Sequence, residues 1–126
     1  MSHSARYERG VAKFAEIYGE QAKALIASLE ETTPDLGTYV LEFAFGDIHC
    51  RPGLSLKSRE IATVAALTAM GTAVPQLGSH IHAALNVGCS EQEIVEVILQ
   101  MALYAGFPAA INGLRAAREV FRKRSK

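Results

Sequence analysis

Apolar residues recur at three- and four-residue steps along most of the chain. Val11, Phe14, Ala15, Tyr18, Ala22, Leu25, Ile26 and Leu29 form one such series. This spacing predicts an amphipathic first helix from Tyr7 to about Ser28. Thr32-Thr33-Pro34-Asp35 breaks it, and Asp35 is expected to cap the next helix. Leu36, Val40, Phe43 and Ala44 share one side of that second helix, Leu36 to Phe45, with Gly46 as its expected left-handed end. Asp47 to Ser55, with Arg51-Pro52-Gly53, reads as a loop.

A third helix starts at Ser55 or Lys57-Ser58, runs to Met70 and stops at Gly71. Val74-Pro75-Gln76 opens a fourth, because proline suits a first helical turn, and Gly88 closes it. Ser90-Glu91-Gln92-Glu93 has capping-box spacing and starts a fifth through Ile94, Val95, Val97, Ile98, Met101 and Ala102. Gly106 interrupts, and Pro108 begins a sixth that ends near Arg122. No segment alternates apolar and polar residues beside turn chemistry. The expected class is therefore all-α, about six helices with short connections.

The stretch Ile61 to Met70 is apolar on nearly every side. A helix apolar all round must be covered all round. Either a large core within one chain covers it, or copies of the chain pack together, and the shortness of the chain favours copies. Its 126 residues fit a single domain, 1–126. Lys+Arg and Asp+Glu both total 13, so no basic surface recommends a nucleic acid or membrane partner. The basic run Arg122-Lys123-Arg124 reads as a frayed, solvated helix end. The N-terminal Met1-Ser2-His3-Ser4-Ala5-Arg6 is no export signal, and no apolar run approaches the ~20 residues of a membrane span. Cys50 and Cys89 form neither a C-x-x-C nor a disulfide framework, which fits free thiols in the cytoplasm.

Candidate chemistry is sparse. His80 and His82 lie on opposite sides of a helix and cannot share one ion, so no metal is expected. His80 borders the Leu77, Ile81, Ala84, Leu85 stripe, and Glu60 is the lone acid of the apolar third helix. A buried acid and imidazole that meet satisfy each other, either as a core pair or as an acid/base pair. Arg51 and Arg59 are carboxylate binders or surface ion-pair members. Asp47 is a turn residue or a site residue. Gln100 and Tyr104 share one side of the fifth helix, where core packing is the alternative to a role in binding. Cys50 lies beside Arg51, but no positioned base accompanies the thiol.

Several segments in fixed order carry a resemblance: Gly46 to Leu56, Ser58 to Leu67, Gln76 to Gly88, Glu93 to Gln100 and Tyr104 to Asn112. Together they closely resemble the 4-carboxymuconolactone decarboxylase family, within the alkylhydroperoxidase D-like superfamily, over roughly residues 35 to 120. In the peroxidase branch a Glu precedes a C-x-x-C and a His. Glu60 and His80 match the flanking positions here, while Gly71-Thr72-Ala73-Val74-Pro75-Gln76 has no cysteine. Thiol–disulfide chemistry needs a thiolate and a resolving partner, so a thiol peroxidase is the weaker alternative and a non-catalytic helical assembly protein another. The resemblance implies an alkylhydroperoxidase D-like helical domain forming a homo-oligomer, a hexamer or another dimer-based assembly. It implies a carbon–carbon lyase that needs no cofactor and removes CO2 from 4-carboxymuconolactone or a similar small carboxylated lactone. The implied catalytic residues are His80, Glu60 and Arg51, with Arg59, Tyr104 and Asp47 binding substrate.

Overall fold

The computed structural model describes residues 3–126; Met1 and Ser2, with which the N-terminal segment begins, lie outside the described residues. All regular structure among them is helical. The helices gather into two compact units that divide between Ser55 and Leu56.

In the first unit, Ser4 caps α1 (Ala5–Tyr18) by accepting the Tyr7 N–H. The expected continuous first helix is interrupted. Gly19 takes a φ of 61°, and a 3₁₀ turn over Gly19–Gln21 separates α1 from α2 (Ala22–Glu30). Thr33, not Asp35, caps α3 (Pro34–Tyr39); its hydroxyl accepts the Asp35 N–H. The chain then widens into a π-helical segment, Val40–Ile48. Gly46 therefore lies inside a helix rather than ending one in the left-handed region, and the loop starts later than the sequence predicts. Gly46 is needed for another reason: a Cβ there would lie 2.5 Å from the Arg6 carbonyl oxygen. Phe14, Ile17, Tyr18, Leu41 and Phe45 form the core of this unit, with Phe14 and Phe45 edge to face at 4.7 Å.

The second unit follows the sequence closely. It contains α4 (Leu56–Met70), α5 (Val74–Asn86), α6 (Glu91–Ala105) and α7 (Phe107–Arg124). Gly71, Gly88 and Gly106 all have positive φ, the backbone at which helix propagation stops and a Cβ is strained. The capping box is complete: Ser90 Oγ accepts the Glu93 N–H at 3.0 Å, and Glu93 Oε1 accepts the Ser90 N–H at 2.8 Å. Val64, Leu77, Ile81, Ala84, Ile94, Ile98 and Ala117 make the core. α4 buries only Glu60, Val64 and Thr68, and leaves Ala62, Ala66 and Ala69 exposed. The helix that reads as apolar all round is thus covered on one side within the chain. No helix among the described residues is long and apolar enough to cross a membrane.

Candidate active site

Glu60, Val64 and Thr68 recur at four-residue steps on the inner face of α4. Thr68 solves its own burial by donating its hydroxyl to the Val64 carbonyl at 2.7 Å. Glu60 has no such local solution. Its side chain is fully buried, and its Oε1 lies 2.8 Å from Nδ1 of His80 on α5. Oε2 is also buried and has no hydrogen-bond partner within the chain. Buried polar atoms are nearly always satisfied, so half of this carboxylate keeps unused accepting capacity.

His80 borders the buried Leu77, Ile81, Ala83 and Ala84, and its side chain is 20% exposed. An ionised carboxylate can only accept, so with Glu60 ionised Nδ1 of His80 is the donor and Nε2 is the ring's other hydrogen-bonding atom. The acid is sealed and the ring is partly open. That arrangement can orient an imidazole from its buried side while part of the ring stays open.

The other expected site residues have different surroundings. Arg59 is half-buried beside Glu60. Tyr104 is not in a core: it is 80% exposed at the end of α6, and Gln100 is exposed too. In the first unit, Arg51 is exposed in the turn after the π segment, where its N–H bonds the Ile48 carbonyl at 3.1 Å. Asp47 pairs with Arg6 at 2.7 Å and lies 3.9 Å from Arg9. The hydrogen bond from Arg6 holds its carboxyl below the usual range. Cys50 donates to the Phe45 carbonyl; burial, then the Glu93 charge, pushes the core thiol of Cys89 up, and the Glu60 charge adds to the rise.

One polar network is not anticipated by the sequence pattern. Arg124 Nη1 lies 2.9 Å from His82 Nδ1 and 3.0 Å from Asn86 Oδ1. The end of α7 is therefore fastened to α5 rather than frayed. Burial, then the Arg124 charge, lowers the His82 pKa. The available signal is the i, i+4 spacing of His82 and Asn86 on one helix face. An open concavity of about 360 Å³ lies over Ile61, Ser90, Gln92, Glu93, Glu96 and Val97. Its glutamates recommend it poorly for an anion, and neither Glu60 nor His80 lines it.

Comparison with known proteins agrees with the resemblance. Residues 34–119 match the carboxymuconolactone decarboxylase family. The chain belongs to that family. It is 33% identical to the 4-carboxymuconolactone decarboxylase of Acinetobacter baylyi over 97% of its own length and 91% of the relative's. A second relative, the nitrosuccinic acid decarboxylase of Metarhizium robertsii, is 30% identical over 89% of this chain and 78% of the fungal protein. An uncharacterized 15.0 kDa protein of Paracoccus denitrificans is 36% identical over 75% and 71%. As a member of the carboxymuconolactone decarboxylase family, the chain carries Glu60 and His80 well inside the matched span.

Proposed function

We propose that this chain is a carbon–carbon lyase that decarboxylates 4-carboxymuconolactone or a similar small carboxylated lactone, without a cofactor. The observation that carries the reading is the 2.8 Å contact between a fully buried Glu60 and a partly open His80, in a chain one-third identical to a decarboxylase over nearly its whole length. Two relatives are named for 4-carboxymuconolactone and nitrosuccinic acid. Each compound has two carboxyl groups and an internal electron sink, a conjugated lactone in one and a nitro group in the other.

Chemistry follows from that shared pattern. Breaking the carbon–carboxylate bond releases CO2 and leaves an electron pair on carbon. The pair moves through the ring alkene into the lactone carbonyl as an extended enolate, and one proton then returns to carbon. The protein must hold the second carboxylate, stabilise the growing oxyanion and deliver the proton. His80 donates to the oxyanion or transfers the proton, and Glu60 fixes the ring. Arg51 binds carboxylate, with Arg59 in reserve; Tyr104 and Asp47 complete the set of candidate contacts. The reading treats 1–126 as one catalytic domain working in the cytoplasm as a homo-oligomer, a hexamer or another dimer-based assembly.

Direct measurement of CO2 release from 4-carboxymuconolactone tests the reading. Turnover by the wild type, lost in His80→Ala and retained when Cys50 and Cys89 are both replaced by Ala, supports it. No turnover of this lactone or related lactones by a folded wild type overturns it. Loss of turnover in the folded double cysteine variant shifts the assignment to thiol chemistry.

A further inference from the structure

The second unit carries a large apolar surface of which the proposed site uses only Tyr104. Between Glu96 and Arg115 lie eighteen residues without a charge, Val97 to Leu114. They form the second half of α6, the turn at Gly106 and the first half of α7. The inner side of this corner is spoken for: Ile98, Ala110 and Gly113 are buried, and a Cβ on Gly113 would press into Ile98 and Thr68. The outer side is also largely apolar, with Gln100 and Asn112 as its exposed polar residues. Leu99 and Leu103 make a ridge on α6, and Phe107 and Ile111 a second ridge on α7, both at four-residue spacing. Tyr104 stands beside them. Leu103 is 77% exposed, Tyr104 80% and Phe107 71%.

We propose that this α6–α7 corner is the face through which two copies of the chain associate. The five side chains present roughly 600 Å², at the upper end of the largest patches on monomers and close to the ~800 Å² each partner gives a standard interface. Tyr, Phe and Leu without charge are the composition of an interface centre rather than a rim. A formal net charge of zero means that copies meet without mutual repulsion. The inference names the contact surface within the homo-oligomer of the proposed function, and nothing in it depends on catalysis.

Sedimentation velocity at micromolar concentration tests it with the full chain and with Leu103→Lys and Phe107→Lys separately. Both side chains are exposed, so far-UV circular dichroism of the variants should match the wild type. The wild type should sediment at twice 13.6 kDa or more. Each lysine should yield a smaller species and raise the dissociation constant by at least ~10-fold, as loss of a central contact does. Hydrogen exchange supplies a readout without substitution: amide protection across 97–114 should fall when the wild type is diluted. A wild type that stays at 13.6 kDa overturns the inference. An assembly that both lysines leave intact overturns this face while sparing the oligomer. A monomer that pellets with phosphatidylcholine vesicles through Leu103 replaces a second copy with a lipid surface. CO2 release is scored separately, so failure of the face and failure of the decarboxylase reading remain distinct.

Discussion

The two units hold their helices together by different means. In the first, backbone meets backbone: a Cβ on Gly10 would lie 1.8 Å from the Leu41 carbonyl oxygen. In the second, side chains interlock, and a Cβ on Gly113 would meet the methyls of Ile98 and Thr68, at 2.8 and 3.0 Å, and the Thr68 hydroxyl at 3.4 Å. Their carboxylates differ in the same way. Asp47 is about one-third exposed and faces two arginines. Glu60 is sealed, has one imidazole and keeps an oxygen without a partner. The surface pair has more visible charge, yet water competes for it and the long arginine side chain costs entropy to fix. The buried pair has less charge and far more at stake, because no water replaces what is missing. Candidate chemistry therefore lies with the poorer-looking partnership.

Removing His80 breaks this comparison most sharply. His80→Ala should lower kcat by ~10²–10⁴-fold, the usual worth of a positioned acid or base. It should also leave Glu60 buried and alone, at a cost of about 3–5 kcal/mol in a urea melt. The double variant His80→Ala/Glu60→Leu should recover much of that stability and none of the turnover. If the double variant regains activity along with stability, the pair is only structural. Arg51→Ala should raise KM as well as lower kcat; an effect on kcat alone would remove Arg51 from carboxylate binding.

The glycines give the next largest effect. Gly10→Ala puts a methyl into a carbonyl group of a packed helix, and neither backbone can yield without moving the other. A loss of about 1–3 kcal/mol or more is expected. Gly113→Ala meets the methyls of the β-branched Ile98 and Thr68, which are stiff at χ1 but need shift far less than the backbone at Gly10, so its loss should be smaller. Chemical denaturation of both variants decides the matter. Equal losses would mean that the second unit is as rigid at this contact as the first.

These contrasts also show what could be read in advance. Gly71, Gly88 and Gly106 marked helix ends because a positive φ is a local requirement, and the Ser90/Glu93 box is a local hydrogen-bond pattern. Glu60 and His80 could be paired because each is a polar exception on an apolar face. The π segment Val40–Ile48 was hidden. Its i→i+5 bonding coincides with the close approach of α1 at Gly10 and Gly46, and apolar spacing alone does not distinguish it from an α-helix. Gly19 was likewise read through, because a single glycine within a periodic run interrupts the pattern little. For Tyr104 the sequence leaves binding and core packing open, and its exposure removes core packing. Apolar neighbours announce that a residue will be covered, but not whether its own chain does the covering.

The smallest expected effect belongs to the better-charged partner. Asp47→Asn keeps the shape and removes the charge that Arg6 faces. Because the hydrogen bond from Arg6 lowers the Asp47 pKa in the folded chain, the group binds fewer protons folded than unfolded. Its stabilisation is therefore fully present above the ordinary carboxyl value of ~3.9 and is lost as pH falls through the lower folded value. Thermal melts of wild type and Asp47→Asn should differ slightly at neutral pH and low salt. The two curves should converge in strong acid, and also in high salt, where the exposed charges are screened. KM should rise modestly, since Asp47 is a proposed substrate contact whose carboxylate Arg6 already holds in place. A gap that persists in acid would show that the asparagine disturbs packing instead, and an unchanged KM would remove Asp47 from the substrate contacts.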